Sequence, residues 1–204
     1  MKLPPAVAVA AVLLSTPSEA GDNRPLSAFS ELHVDTAITV TLICGERPGV
    51  QIESDTPAIG DSYIDLRVVE GSEGQSVAKL HFRRDFDRQI HPDQMRLLLT
   101  TDRPLRQVGA TTGARLTLPA CALDSEQLTL KVETQARVEI SGETRRLFLT
   151  VESGGTLNAL GGGRGFVPKR VRLHAGRNVR VGLCHAGGIE ILHQAEDARV
   201  LTGC

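Results

Sequence analysis

From Leu32 onward the chain alternates apolar and polar residues with a period of two, the spacing of a half-buried strand. Glu31 to Cys44 (ELHVDTAITVTLIC) follows this alternation, and it resumes in VQIES after Gly45-Glu46-Arg47-Pro48-Gly49, so the pattern predicts a hairpin. Parity puts Cys44 on the same face as Leu32, Val34, Ile38, Val40 and Leu42, and it is expected to point inward. A second strand pair, Tyr63–Val69 and Val77–Phe82, is predicted around the turn segment Glu70–Gly74, and Met95–Thr100 makes a further strand before Asp102-Arg103-Pro104. Helical spacing is weak beyond the first twenty residues, apart from a short turn expected near Asp55–Ser62.

The second half repeats itself. Leu128–Gly142 (LTLKVETQARVEISG) aligns with Leu147–Gly161 (LFLTVESGGTLNALG) at an offset of nineteen. Val171–Cys184 follows, with one residue expected to be deleted and a loop, Gly162–Lys169, inserted before it. Leu105–Pro119 is a looser earlier copy, and Gly188–Gly203 a degenerate closing one. Each unit is a short strand, a corner of small residues (Thr134-Gln135-Ala136, Ser153-Gly154-Gly155, Gly176-Arg177-Asn178) and another short strand. A unit of about 20 residues buries its apolar face only against its neighbours, which predicts an all-β, parallel β-solenoid with an N-terminal strand hairpin region. The alternative, an antiparallel sandwich, calls for turns every 8–12 residues without a shared motif.

Composition adds an address. Residues 1–20 carry a basic Lys2, an apolar run from Ala6 to Leu14 and small residues at Ser18 and Ala20, the layout of a cleaved signal peptide. The run is too short to span a bilayer, which takes about 20 residues. Residues 21–204 are then expected to form a single domain, periplasmic or secreted. The four cysteines, Cys44, Cys121, Cys184 and Cys204, form no C-x-x-C, and in an exported chain an even count predicts disulfides. Of the three pairings, Cys44–Cys121 with Cys184–Cys204 is favoured, since Cys184 and Cys204 are about one repeat apart; buried thiols are the alternative.

With 23 basic and 24 acidic side chains the net charge is −1, which gives no electrostatic case for a nucleic-acid partner or an acidic membrane. Five Phe, one Tyr and no Trp leave too few rings for base-stacking platforms or the aromatic girdles of a membrane barrel. The same scarcity fits a thin aliphatic interior that rings would overfill.

Taken together, AFSELHVDTAITVTLICGERPGVQIESD, the step MRLLLTTDRPLRQVGATTGARLTLPA and the coils VETQARVEISG and VESGGTLNALG resemble the GIN domain family, the putative autotransporter adhesin head domain. The resemblance runs from about Leu26 to the end. It implies a right-handed parallel β-helix-like domain, exported by bacteria, with no assigned catalytic residues and no cofactor. Two corners depart from the family's paired glycines, Thr134-Gln135-Ala136 and Arg177-Asn178, which puts the regularity of those corners in question. No barrel-strand pattern follows the repeats, so an adhesive role is expected of a free exported domain.

The candidate chemistry is sparse. Arg83–Gln94 (RRDFDRQIHPDQ) gathers Asp85, Asp87, His91 and Asp93, a set able to ligate a hard metal, against the plainer reading of a solvated loop with interleaved arginines. His174, His185 and His193 offer a second metal reading, since His174 and His193 are nineteen apart, although His174 lies on the outward parity. Gly161-Gly162-Gly163-Arg164-Gly165 lacks the Gly-Lys-Ser/Thr ending of a phosphate loop. Lys131, Glu133, Arg137, Glu139, Glu152, Arg172 and Arg180 are the outward candidates for a carbohydrate-active enzyme on the same scaffold, but they mix both signs as a solubilised surface does. The function expected is therefore a non-enzymatic structural or adhesion module of the cell envelope. Its partner would be a protein or glycan; the carbohydrate-active enzyme (polysaccharide lyase or hydrolase) is the alternative.

Overall fold

A computed structural model describes residues 24–53, 64–71, 74–82, 95–159, 166–183 and 186–202. The first strands are β1 (Arg24–Pro25), β2 (Glu31–Asp35), β3 (Thr39–Cys44), β4 (Gly49–Glu53), β5 (Ile64–Glu70), β6 (Ser76–Phe82) and β7 (Arg96–Thr101). They are followed by β8 (Gln107–Thr111), β9 (Arg115–Leu118), β10 (Gln127–Val132), β11 (Arg137–Ile140) and β12 (Gly142–Val151). The last are β13 (Thr156–Asn158), β14 (Phe166–Ala175), β15 (Arg180–Leu183), β16 (Ile189–Gln194) and β17 (Arg199–Thr202). The fold is all-β, and no helix among the described residues is long and apolar enough to cross a membrane.

The strands form two mixed sheets, one of nine in the order β1-β4-β7-β3-β9-β11-β13-β15-β17 and one of eight in the order β16-β14-β12-β10-β8-β2-β6-β5. From β8 onward the chain enters the two sheets alternately, and each strand pairs in parallel with the strand two elements later. Like residues therefore stand beside like. In the eight-stranded sheet Val108, Leu130, Leu149 and Leu173 form one inward row, and in the nine-stranded sheet Leu116, Val138, Leu157 and Val181 form another. These rows join one core cluster. Burial on this scale, at about 1.5–3 kcal/mol per large aliphatic side chain, is the main favourable term. Leu147 pairs with Val171 and Leu157 with Val181, so both strands share one offset and the expected deletion at that corner is absent.

The corners stack as well. Thr112, Thr134 and Ser153 have φ of 55°, 49° and 51°, and Gly113, Gln135, Gly154 and Asn178 have φ of 76°, 64°, 81° and 56°. The Gly113 N–H donates to Thr134 O at 2.9 Å, Gln135 N–H to Ser153 O at 3.0 Å, and Gly154 N–H to Arg177 O at 3.2 Å. The Thr134-Gln135 corner thus adopts, without glycine, the same two left-handed residues as Ser153-Gly154, whereas the Arg177-Asn178 corner keeps only the second, at Asn178.

Three local expectations are corrected. The segment from Glu31 to Cys44 is two strands in different sheets, because the chain turns at the buried Thr36 between β2 and β3. The predicted first hairpin does not form. β7 runs between β3 and β4, parallel to the first and antiparallel to the second. The second predicted pair does form, as the antiparallel β5 and β6. Cys44 is exposed rather than inward, since the alternation ends at Ile43 and both residues face out. It is joined by a disulfide to Cys121, in the short 3-10 turn Ala120–Ala122, with 6.3 Å between the Cα atoms. Cys184 and Cys204 lie outside the described residues.

The interior does accept rings: Phe29 and Phe166 are fully buried, and Phe166 stands beside Gly142 in the sheet. The last strands close the core less completely, leaving Ile191, Leu192 and Leu201 exposed.

Candidate functional site: a cationic bend on the eight-stranded sheet

Strand β12 breaks its alternation once. Arg145 and Arg146 are both exposed, between the buried Thr144 and Leu147. Strand β14 breaks at the same level, with Lys169 and Arg170 exposed between the buried Pro168 and Val171. The two bends are in register, Thr144 beside Pro168 and Arg146 beside Arg170. Local chemistry sets the place. Asp124 accepts from the N–H groups of Glu126 at 2.8 Å and Gln127 at 3.1 Å, an Asx-type turn that fixes the start of β10. The buried Thr144 hydroxyl donates to Asp124 O at 3.0 Å, and Pro168 has no N–H to lose where the ladder bends. The N–H groups of Arg145 and Arg146 donate to Ser125 O at 2.7 Å and Glu126 O at 3.1 Å, seating the bend on the preceding unit.

On the far side, Val171 N–H donates to Gly188 O at 2.8 Å, so the position beside Arg170 carries no side chain. A Cβ on Gly188 would meet nothing nearer than Lys169 O at 3.8 Å, which leaves the row open. Two solvent-open clefts meet here, of about 790 Å³ and about 530 Å³, and both are lined by Arg146 and Arg170. The first adds Glu126, Arg145 and Lys169; the second adds Phe148, Arg172, Ile189 and Glu190.

The charges are unevenly matched. Arg145 pairs with Glu126 at 3.5 Å, and Arg172 with Glu190 at 2.9 Å while its Cζ lies 5.9 Å from the centre of the half-buried Phe148 ring. Among the described residues Arg146, Lys169 and Arg170 have no ion-pair partner. Two guanidinium groups on directly paired residues repel one another. Arginine's planar fork is the side chain best shaped to take a carboxylate or similar oxyanion by two hydrogen bonds.

The residues singled out from sequence lie elsewhere or apart. Lys131 and Arg172 face out from the eight-stranded sheet, Arg137, Glu139 and Arg180 belong to the nine-stranded one, and Glu133 and Glu152 sit at corners. His174 and His193 stack with ring centres 4.7 Å apart, and His174 Nε2 lies 3.1 Å from Glu152 Oε1. His185, the Arg83–Gln94 segment with Asp85, Asp87, His91 and Asp93, and Gly161–Gly165 fall outside the described residues. Among the described residues no group of three His, Cys, Asp or Glu side chains is arranged to hold a metal ion. The basic bend was missed in the sequence, although a signal exists: the doublets Arg145-Arg146 and Lys169-Arg170 each directly precede an aligned repeat start, Leu147 and Val171.

No protein-family model and no curated protein matches the chain. Solved structures do. A putative adhesin from Bacteroides fragilis superposes with a TM-score of 0.54 at 12% identity, over 91% of this chain and 96% of that one. A putative adhesin from Parabacteroides merdae gives 0.51 at 12% identity, over 89% and 74%. A putative lipid binding protein from Parabacteroides distasonis gives 0.48 at 9% identity, over 89% and 93%. At such identities the first two share a fold with this chain.

Proposed function

We propose that this chain is an exported, non-enzymatic interaction module of a bacterial cell envelope, and that its winding is a right-handed parallel β-solenoid with antiparallel strands completing one end. In this reading residues 1–20 are a signal peptide removed on export, residues 21–204 are one domain, and Cys184 pairs with Cys204 as Cys44 does with Cys121. The observation that carries the functional part is the outer face of the eight-stranded sheet, whose parallel ladders hold a row of cations, unpaired among the described residues, open to solvent. A packed scaffold presenting fixed charges on a broad face suits capture of a surface component, protein or glycan, better than turnover. The names of the two fold relatives, both putative adhesins, point the same way.

The test is expression of the full chain in a Gram-negative host, followed by osmotic-shock fractionation, N-terminal sequencing and cosedimentation of the purified product with native envelopes. The expected result is periplasmic protein starting at Gly21 that sediments with envelopes. Retention in the cytoplasm with Met1 in place, or no sedimentation, overturns the reading.

A further inference from the structure

We infer that the Arg146–Arg170 pair and Phe148 form a binding site for a carboxylated polysaccharide, a uronate polymer laid across the eight-stranded sheet; this rests on the interaction-module reading above. Four observations converge. The two guanidinium groups spring from directly paired residues, whose strands a ladder holds about 4.8 Å apart, so they cannot move away from each other by shifting the backbone. A bound carboxylate between them relieves the repulsion and satisfies both forks. Gly188, next in the same row, leaves the approach to Arg170 unobstructed.

The aromatic ring supplies the second half. Phe148 is two residues along β12 from Arg146 on the same outer face, roughly 6.6 Å away along the strand, with Arg172 against its ring. A pyranose ring spans that interval: its carboxylate reaches the arginines while its C–H face takes the place of the Arg172 guanidinium on Phe148, Arg172 keeping Glu190 as its partner. The flanking carboxylates decide against other anions. Glu126 and Glu190 bound the cationic pair on either side, and the whole chain is at −1. A nucleic acid or anionic bilayer needs a continuous positive field, whereas spaced single carboxylates need only the local pair.

The experiment is calorimetric titration of the chain purified from that host, at low salt, with hexamers of galacturonate and of mannuronate, the methyl ester of the former, and inorganic polyphosphate. The wild type is expected to bind at least one uronate hexamer, and to bind it better than either the ester or polyphosphate. Arg146→Ala/Arg170→Ala should weaken uronate binding about tenfold or more, as loss of charge-assisted hydrogen bonds does. Phe148→Ala should weaken it several-fold with an unchanged melting temperature. Gly188→Glu places a competing carboxylate beside Arg170 without steric conflict and should act like the double arginine change, so the test stands even if that variant folds poorly. Uronate affinity unchanged by Gly188→Glu and the arginine changes, equal binding of the ester, tighter binding of polyphosphate, or no uronate binding overturns the site. Envelope cosedimentation separates the two readings: if the wild type sediments with envelopes but binds no uronate, the module stands and the site falls. If wild type binds uronate but no envelope, the site stands and the module falls.

Discussion

Gln135 holds a φ of 64° at a corner where the neighbouring unit has Gly154. A side chain in the left-handed region costs about 1–2 kcal/mol, part of which glycine gives back through the freedom it loses on folding. Gln135→Gly is therefore expected to raise stability by roughly 0.5–1 kcal/mol in urea unfolding. Gly155, one residue beyond the equivalent corner, behaves oppositely. Its Cβ would run into the Val132 carbonyl and the Val151 side chain, so Gly155→Ala should lower stability by about 1–3 kcal/mol. Opposite signs at two adjacent levels of the stack are the check, and equal signs would refute the account. The glycines marked the corners in the sequence. That Thr134, Gln135 and Asn178 take the same backbone was not legible there, because hydrogen bonds between neighbouring units, such as Gln135 N–H to Ser153 O, impose it.

At the scale of elements, period-two alternation located strands well and their partners poorly. Alternation reports which face is buried, and a partner is chosen by ladder length. β3 pairs with β7 along all six residues, Thr39–Cys44 against Arg96–Thr101, and this displaces the sequence-adjacent β4 to the far edge of β7. The repeat registered correctly because stacked rows require like beside like, as Leu128 with Leu147 and Val138 with Leu157. The basic bend escaped because each doublet reads as ordinary surface until the register sets Arg146 against Arg170.

Another row across the same sheet has a measurable pH response. His33 on β2 lies against Gly109 of β8, with Lys79 beside it on β6, and its Nε2 is 3.3 Å from Gln107 Nε2. Burial, with smaller contributions from Lys79 and Lys131 and against the pull of Glu31, holds the ring's pKa below the usual 6.5. The folded state therefore binds this proton less readily than the unfolded chain. The stability it contributes is complete above pH 6.5 and is lost as pH falls from there through the lower folded value. Melting temperatures at pH 7.5 and pH 5 should fall further for wild type than for His33→Gln, whose side chain does not titrate. Equal losses would exclude the effect.

For the molecule as a whole, the disulfide joins residues 77 apart in sequence. In the chain-entropy picture a loop of that size restricts the unfolded chain by about 4–5 kcal/mol, and measured losses on removal run about 2–5 kcal/mol. Cys44→Ser/Cys121→Ser is expected to lower unfolding free energy within that range, and a loss under about 0.5 kcal/mol would show that the bridge constrains little. The Cys44–Cys121 bridge makes residues 44–121 a covalent ring with a stretch of chain on either side. Strands β4 to β9 lie inside the ring, β10 to β17 on the stretch after it, and that stretch docks on the ring by pairing β10 with β8 and β11 with β9. A molecule pulled from its two sides cannot pay out the residues between Cys44 and Cys121. Any tension that separates units down to β9 stops at that covalent bond, which sets a limit to how far this protein stretches.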